Sequence, residues 1–348
     1  MKLKFFVSKT SNHFFYISMM TGWNNALFRK ETIKEWKEFL EDLNLKEKQV
    51  INQVGDILEK YKKNKGKWLQ NIFYNDYTDQ KIWLIIKQEY SKEEYDVLKQ
   101  AFKITKSKFD KLWKRIDVLK VRKFLKQLES KYYQKLFDEI NTFFGIKNTA
   151  NNFIKVAVLP IVIKEGLAGH AWNNEKANVN IEFSMVDVEK NNIQDLALLL
   201  SHEIFHLLFR QSKFLNIFKE EISNNKIDYI SKKSLVLNDF YQRPFVLVEE
   251  SLVVTFCDFY YLRMKYYQTD KWLYLMTSMF DKQGNWIIKD KIQHGKYIDR
   301  DLVLGYIGYK MLPIVLEYII NKKPVDRNLI KLFILQVKEL LKLEKKIK

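Results

Sequence analysis

The sequence H-E-I-F-H at residues 202–206 lies inside a long apolar run, and this placement constrains the local fold more than any other feature. Residues 196–209 are mostly apolar and contain neither glycine nor proline, which is typical of a buried helix. On a helix, residues four positions apart lie on the same face, so His202 and His206 are predicted to lie one above the other. Because buried imidazoles and carboxylates need polar partners, this pattern indicates a metal ion at the helix.

The spacing of the motif matches the chemistry of a zinc site. Two imidazoles at this spacing can bind one ion, while Glu203, beside the first of them, can reach a water molecule at the metal. With 5 histidines in 348 residues, chance produces the pattern on the order of a few times per thousand such chains. The alternative is a buried helix whose two histidines are satisfied by protein partners alone. It requires separate partners for both imidazoles and the carboxylate, so zinc is the simpler prediction.

A catalytic zinc ion needs three protein ligands and one open position, so a third ligand is required. The apolar segment that begins at Pro244 carries two adjacent acids, Glu249 and Glu250, and proline is favoured in the first turn of a helix. Acids in an apolar helix need a reason to be buried, which makes this pair the best source of the third ligand. His170 and His294 are the histidines that could supply it instead.

The residues E-S-L-V at positions 250–253 resemble the E-[GS]-L-[AV] pattern on the second ligand helix of gluzincins, the zinc metallopeptidases whose third ligand is glutamate. This resemblance implies a zinc ion held by three side chains: His202, His206 and Glu250. Glu249 is the alternative third ligand, and otherwise a neighbour that faces solvent or the positive end of its helix. The resemblance also implies that Glu203 is the general base.

The second helix differs from the E-x-x-x-D pattern of the thermolysin type, because Val254 stands where the aspartate would be. In that type the aspartate orients a ligand histidine, so here the orienting carboxylate must come from elsewhere. Asp258, two helical turns beyond Glu250, is one candidate. The alternative is that Asp258 lies on the helix surface.

A second resemblance follows at residues 304–311, which contain G-Y-I-G-Y. They resemble the later G-Y-x-x-G-Y motif of bacterial predicted zinc-dependent proteases, whose tyrosine donates a hydrogen bond to the oxyanion. The spacing here is one residue shorter, so Tyr306 is the first candidate for this role and Tyr309 the alternative. His294 is the competing donor, and a tyrosine with a structural role in the core is the alternative for both.

The apolar spacing predicts an α+β protein that is mainly α. Residues 1–150 are predicted to form a helical N-terminal lobe, whose apolar residues recur at helical spacing. Such stripes include Ile33, Trp36, Leu40 and Leu43; Val50, Val54, Ile57 and Tyr61; and Phe109, Leu112, Trp113, Ile116 and Leu119. Ser91 and Glu94 have the spacing of a capping box. Residues 3–18 alternate loosely and are predicted to form one or two short strands.

Residues 151–348 are predicted to form a zincin-like catalytic lobe with a small mixed or antiparallel sheet, the motif helix and the glutamate-ligand helix. A β-branched run at 153–163 is interrupted by Pro160, and alternating residues at 179–183 are predicted to lie across from it, with a turn at 172–176. Small residues at 166–172 mark an edge strand. The helix near residue 313 is predicted to be kinked or split by Pro313.

The composition fits a folded protein, with 47% hydrophobic residues and a formal net charge of +18. Its 60 Lys+Arg residues are dispersed among 42 Asp+Glu residues, so nucleic-acid binding is not expected, even at the basic cluster of residues 60–67. Neither a signal peptide nor a membrane-spanning run is predicted, and a single cysteine, Cys257, excludes an intrachain disulfide. A cytoplasmic location is therefore predicted.

These observations predict a zinc metallopeptidase that acts on peptides or proteins. Two other classes stay open: a non-catalytic, zinc-stabilised interaction protein, and a basic nucleic-acid-binding protein in which the motif is incidental. The intact Glu203 favours catalysis, because a structural zinc is closed by four ligands and has no use for a base.

Overall fold

The structure is a computed structural model that describes residues 2–21, 43–61, 68–146, 153–161, 167–173, 177–211, 214–226, 244–258, 261–266, 286–293 and 300–347. The chain forms two compact units. The first contains Met1–Lys131 and Asn151–Leu200, and the second contains Tyr132–Ala150 and Ser201–Lys348. Residues 151–200 thus group with the N-terminal helices. The predicted division of roles between a helical lobe and a catalytic lobe stays a prediction.

The described elements are numbered in chain order. In order they are β1 (Lys2–Phe6), α1 (Lys9–Met20), α2 (Leu45–Tyr61), α3 (Leu69–Phe73), α4 (Asp79–Glu89), α5 (Lys92–Trp113), α6 (Val118–Lys126), α7 (Lys131–Phe143), β2 (Phe153–Ile161), β3 (Leu167–Asn173), β4 (Ala177–Ser184), α8 (Met185–Glu189), α9 (Ile193–Gln211), α10 (Phe214–Asn224), α11 (Pro244–Val253), α12 (Tyr261–Tyr266), α13 (Ile287–Gln293), α14 (Arg300–Ile320) and α15 (Arg327–Ile347). The chain is therefore mainly helical with one small sheet, which confirms the α+β, mainly α prediction.

The sheet in the first unit has the order β1-β2-β4-β3. β1, β2 and β4 are parallel, whereas β3 is antiparallel to β4 and lies at the edge. The sheet is therefore mixed, but the prediction that residues 179–183 lie antiparallel to the 153–163 run is wrong. The antiparallel partner of β4 is β3. The predicted turn at 172–176 falls largely on residues 174–176, which lie outside the described ones.

The strand β2 continues through Pro160 to Ile161 instead of breaking there. Its pairing with β1 ends at Ala157, so at Pro160 the pairing partner is β4 alone. Proline lacks the backbone N–H and is tolerated where a strand is locally an edge. On β4, Val179, Ile181 and Phe183 are fully buried, as their alternation predicts.

Residues 3–18 are predicted to form one or two short strands, and β1 at Lys2–Phe6 confirms one of them, whereas helix α1 takes the place of the second. The hydroxyl of Ser8 accepts a hydrogen bond from the backbone N–H of Ser11 at 3.2 Å and caps the helix. Every residue from Ser11 to Met20 is buried, so the helix has no polar face and the sequence carries no amphipathic period. The strand prediction for Phe14, Phe15 and Ile17 is wrong for this reason.

The amphipathic helices of the first unit follow the sequence pattern. Val50, Val54 and Ile57 of α2 are buried in one core with residues of α1 and α5. The capping box at the start of α5 is confirmed, since Ser91 and Glu94 each accept a hydrogen bond from the other's backbone N–H. The predicted residues Ile33, Trp36 and Leu40 lie outside the described residues.

The core of the second unit contains an aromatic cluster formed by Phe143, Phe144, Phe205 and Phe256. Phe143 lies 4.4 Å from Phe256, and Phe144 lies 4.7 Å from Phe205, measured between ring centroids. Phe205 belongs to the H-E-x-x-H motif on α9, and Phe256 belongs to a π-helical turn, Val254–Asp258, that continues α11. The cluster therefore ties both predicted ligand helices to α7.

Among the described residues, α14 contains a stretch long and apolar enough to cross a membrane, Leu302–Ile320, with a mean hydropathy of 1.4. The helix continues through Pro313 without splitting. The core helix of a soluble protein meets the same length and hydropathy criteria, and 44% of this stretch is buried in the unit. Its length and composition are therefore weak grounds for a membrane segment.

Candidate metal centre

Helix α9 presents His202 and His206 on one face, as their spacing predicts. Their Nε2 atoms lie 3.0 Å apart, and their ring centroids lie 4.7 Å apart. His206 is almost fully buried, whereas the side chain of His202 is 17% exposed. The pair therefore has one deep member and one member nearer the surface.

Helix α11 begins at Pro244 and brings two adjacent acids to these histidines. Glu249 and Glu250 are 1% and 9% exposed, so the helix carries both carboxylates into the interior. The hydroxyls of the following residues Ser251 and Thr255 donate to carbonyl oxygens of their own helix. Neither hydroxyl proton is therefore donated to the two acids.

His202, His206 and Glu250 form a group that could hold a metal ion, with one ligand atom from each lying within 4.8 Å of the others. Glu250 Oε1 lies 3.5 Å from His206 Nε2, and Glu250 Oε2 lies 3.7 Å from His202 Nε2. In a tetrahedral site, metal–ligand distances of about 2.0–2.1 Å place neighbouring ligand atoms roughly 3.3 Å apart. The two imidazole nitrogens, 3.0 Å apart, are slightly closer than this value, and the two glutamate oxygens are slightly farther from their nearest imidazole nitrogens, so the donor set fits a small divalent cation.

Glu249 contacts the same histidine from the other side of the ring. Its Oε1 lies 2.7 Å from His206 Nδ1 and accepts a second hydrogen bond from Arg210 Nε at 2.9 Å. This position corrects the prediction that Glu249 faces solvent, and it makes Glu249 the carboxylate that contacts a ligand histidine. Asp258, the predicted candidate for that role, ends the π-helical turn, and its side chain lies outside the described ones.

Sequence reasoning missed Arg210, although a signal for it was present. Arg210 follows His206 by four residues, so it continues the stripe that starts at His202. An arginine at the end of a stripe of buried polar residues indicates a buried acid nearby, because buried charges are paired. That acid is Glu249.

Glu203 is 7% exposed and lies on α9 directly after His202. Among the described residues, no hydrogen bond is made to its carboxylate, which differs in this respect from the carboxylate of Glu249. A carboxylate without a protein partner can accept a proton from a water molecule. Its location is therefore compatible with the predicted role of general base.

The charge of this group also fits a divalent cation. Three acidic residues, Glu203, Glu249 and Glu250, are 7%, 1% and 9% exposed here, and Arg210 supplies one positive charge. Buried charges need partners, because the transfer of an unpaired charge from water to the interior is unfavourable. A divalent cation between His202, His206 and Glu250 would offset the excess negative charge.

The structure places Tyr306 and Tyr309 on α14, each 5.0 Å from Trp286 between ring centroids. Burial, and to a lesser extent Glu339, raises the pKa of Tyr306, which therefore stays a proton donor. Helix α14 packs against α11 and its π-helical turn. Within the described residues, no hydrogen bond joins Tyr306 to the metal-ligand group, so its oxyanion role stays a prediction.

The remaining predicted candidates are only partly described. His294 lies outside the described residues. His170 lies on the edge strand β3, whose side chains are not described, and β3 belongs to the first unit, whereas both ligand helices meet in the second. His202, His206 and Glu250 already supply the three protein ligands of a catalytic zinc ion, so this ligand set does not depend on His170 or His294.

Comparison with known proteins adds no relative. No protein-family model matches the chain, and no curated protein or solved structure matches it either. The functional argument therefore rests on the residues and their geometry.

Proposed function

We propose that this chain is a zinc-dependent metallopeptidase of the gluzincin type, in which His202, His206 and Glu250 hold the metal ion. The observation that carries the proposal is the convergence of these three side chains from two helices. The residues that converge are those that the H-E-x-x-H and E-S-L-V patterns select. Two imidazoles and one carboxylate are the donor set of catalytic zinc sites that leave one position open.

Zinc, when bound, would lower the pKa of a water molecule and polarise the substrate carbonyl group. Glu203 would accept the proton of that water as the oxygen attacks the peptide carbon. The same carboxyl group would then deliver the proton to the nitrogen as the C–N bond breaks, so that a carboxylate and an amine are released. A tyrosine, Tyr306 or Tyr309, or else His294, would stabilise the oxyanion.

The proposal includes a peptide or protein substrate and a cytoplasmic location, without a membrane or nucleic-acid partner. The basis for the last point is the dispersal of basic residues among acidic ones along the helices. A zinc-stabilised protein without activity would have the same ligands. Activity and metal content must therefore be measured separately.

The first measurement is elemental analysis of the purified chain, which should find one zinc per chain. The second is incubation with a mixed peptide library, in which mass spectrometry identifies newly formed termini. We expect Glu203→Gln to retain zinc and to lose about 10²- to 10⁴-fold in hydrolysis rate, because the substitution keeps the size and removes the base.

Glu221→Gln is the matched control, because Glu221 is another buried glutamate of the second unit and pairs with Arg327 at 2.9 Å. This variant should retain both zinc and activity. Wild-type protein that binds zinc but cleaves no peptide would support the non-catalytic alternative. Equal rates for wild type and zinc-loaded Glu203→Gln would exclude Glu203 as the base.

A further inference from the structure

We infer that Glu249 and Arg210 are positioning residues that fix the orientation and tautomer of His206 for the metal, an inference that rests on the metal site of the proposed function. The two adjacent acids of α11 would then have different tasks. Glu250 supplies a ligand oxygen, and Glu249 acts through His206. Arg210 holds the carboxylate of Glu249 in place, and Glu249 in turn orients the imidazole of His206.

The first step concerns the proton on His206. Glu249 Oε1 lies 2.7 Å from His206 Nδ1, and an ionised carboxylate can only accept a hydrogen bond. His206 therefore carries its proton on Nδ1 in this arrangement, which leaves Nε2 without a proton and able to bind a cation. Nε2 is the atom that lies near His202 and Glu250. The contact with Glu249 thus selects the tautomer that can bind a metal ion.

The second step concerns the orientation of Glu249. Its Oε1 accepts both the bond from His206 and the bond from Arg210 Nε at 2.9 Å, while its Oε2 is buried without a hydrogen bond to any described residue. The two bonds on one oxygen hold the carboxylate in a single orientation. They hold it against the imidazole, because Arg210 and His206 lie one turn apart on α9.

The third step concerns charge. A carboxylate that is 1% exposed is unfavourable unless a positive group compensates it. Arg210, whose side chain is 32% exposed, supplies that charge and still reaches solvent. The Arg210–Glu249–His206 contacts are made by protein groups alone, so they can hold the ligand histidine in place before an ion binds. Carboxylates that orient ligand histidines raise metal affinity by about 10- to 100-fold.

Three variants test the inference on the full chain: Glu249→Gln, Arg210→Gln and the control Glu221→Gln. Glu221 is also a buried glutamate paired with an arginine, but it contacts Arg327 and Lys331 instead of a ligand histidine. Each protein is stripped of metal and titrated with zinc in competition with a chelator. Each is then loaded with cobalt, whose visible d–d absorption reports the ligand geometry.

We expect Glu249→Gln to weaken zinc binding by about 10- to 100-fold and to shift the cobalt spectrum, with Arg210→Gln changing both in the same direction. Glu221→Gln should lower the free energy of unfolding about as much as Glu249→Gln does, and it should leave the zinc affinity and the cobalt spectrum unchanged.

If Glu249→Gln keeps the wild-type zinc affinity and cobalt spectrum, the inference is overturned and the proposed function is unaffected. If wild type takes up neither zinc nor cobalt, both are overturned. If wild type binds zinc without peptidase activity, only the proposed function fails.

Discussion

We predict that the buried histidine of the first unit, His13, makes the free energy of unfolding depend on pH. His13 lies between two aromatic rings, 4.3 Å from Phe109 and 4.5 Å from Phe102 between centroids. Its Nε2 lies 2.7 Å from the Oγ1 of Thr105, and that hydroxyl donates its own proton to the carbonyl of Ala101. The hydroxyl therefore accepts from His13, so Nε2 carries the proton in the neutral ring and Nδ1 would have to be protonated on acidification.

Burial is the largest cause that lowers the pKa of His13, from 6.5 to about 3, while Asp110 acts in the opposite direction. A histidine whose folded pKa is depressed is protonated first in the unfolded chain. Its contribution to stability is therefore present above pH 6.5 and is lost as the pH falls toward 3. With an unfolded pKa of 6.5, lowering the pH from 7 to 5 removes about 2 kcal/mol of unfolding free energy.

Urea unfolding of the metal-free protein at pH 7 and pH 5, followed by circular dichroism and tryptophan fluorescence, measures this loss. His13→Gln keeps an N–H donor for Thr105 and removes the titrating group, so it should lose about 2 kcal/mol less than wild type over the same interval. Thr105→Val is the control, because it removes the acceptor and leaves the histidine. It should lower stability at both pH values and keep the pH dependence. An unchanged pH dependence in His13→Gln would refute the reasoning.

Two further predictions concern the second unit. Zinc at about 1,000 times its dissociation constant should stabilise the wild type by about 4 kcal/mol in the same unfolding assay, and His206→Ala should show no such increase. Phe205→Ala should lower the unfolding free energy by about 3–5 kcal/mol, because the ring is fully buried against Phe144 and Phe256, and it should also weaken zinc binding. Phe205→Leu should have the same effects to a smaller degree, and a loss below about 1 kcal/mol in Phe205→Ala would contradict the proposed packing.

Elements with a local period or a local cap could be predicted from the sequence. The α5 capping box depends on Ser91 and Glu94 alone, which are three residues apart, so no tertiary information is needed. The spacing of His202 and His206 likewise fixes their relative position as soon as a helix forms. The start of α11 at Pro244 follows from the fixed backbone angle of proline.

Other features depend on what surrounds an element, which the sequence does not state. Helix α1 is buried on every side, so its apolar residues show no 3.6-residue period that would distinguish it from a strand. The parallel pairing of β2 with β4 could not be predicted without knowing that β3 pairs with the other side of β4, at the edge of the sheet. Alternation predicts which face of a strand is buried, but it does not identify the neighbouring strand.

The adjacent acids of α11 show the same limit at the site itself. Neighbouring positions on a helix differ by about 100° in direction, so the sequence predicts different environments for Glu249 and Glu250. Helical spacing alone does not predict which acid faces the histidines, because that depends on the angle at which α11 packs on α9. The prediction of Glu250 comes from the resemblance of E-S-L-V and not from the spacing. In the structure both acids contact the same residue of α9, His206, with Glu249 at its Nδ1 and Glu250 at its Nε2.

The contacts of His206 also distinguish a metal site from a pair of core histidines whose hydrogen bonds are satisfied by protein groups alone. Its Nδ1 has a partner in Glu249, as a structural histidine would require. Its Nε2, however, lies 3.0 Å from another imidazole nitrogen and 3.5 Å from a carboxylate oxygen. With the proton of His206 on Nδ1, a hydrogen bond between the two Nε2 atoms uses the proton of His202. A cation would bind both imidazoles and the carboxylate at once, whereas a proton bridges only two of these groups. The pattern H-E-x-x-H-x-x-x-R followed by E-E therefore favours a metal site more strongly than H-E-x-x-H alone.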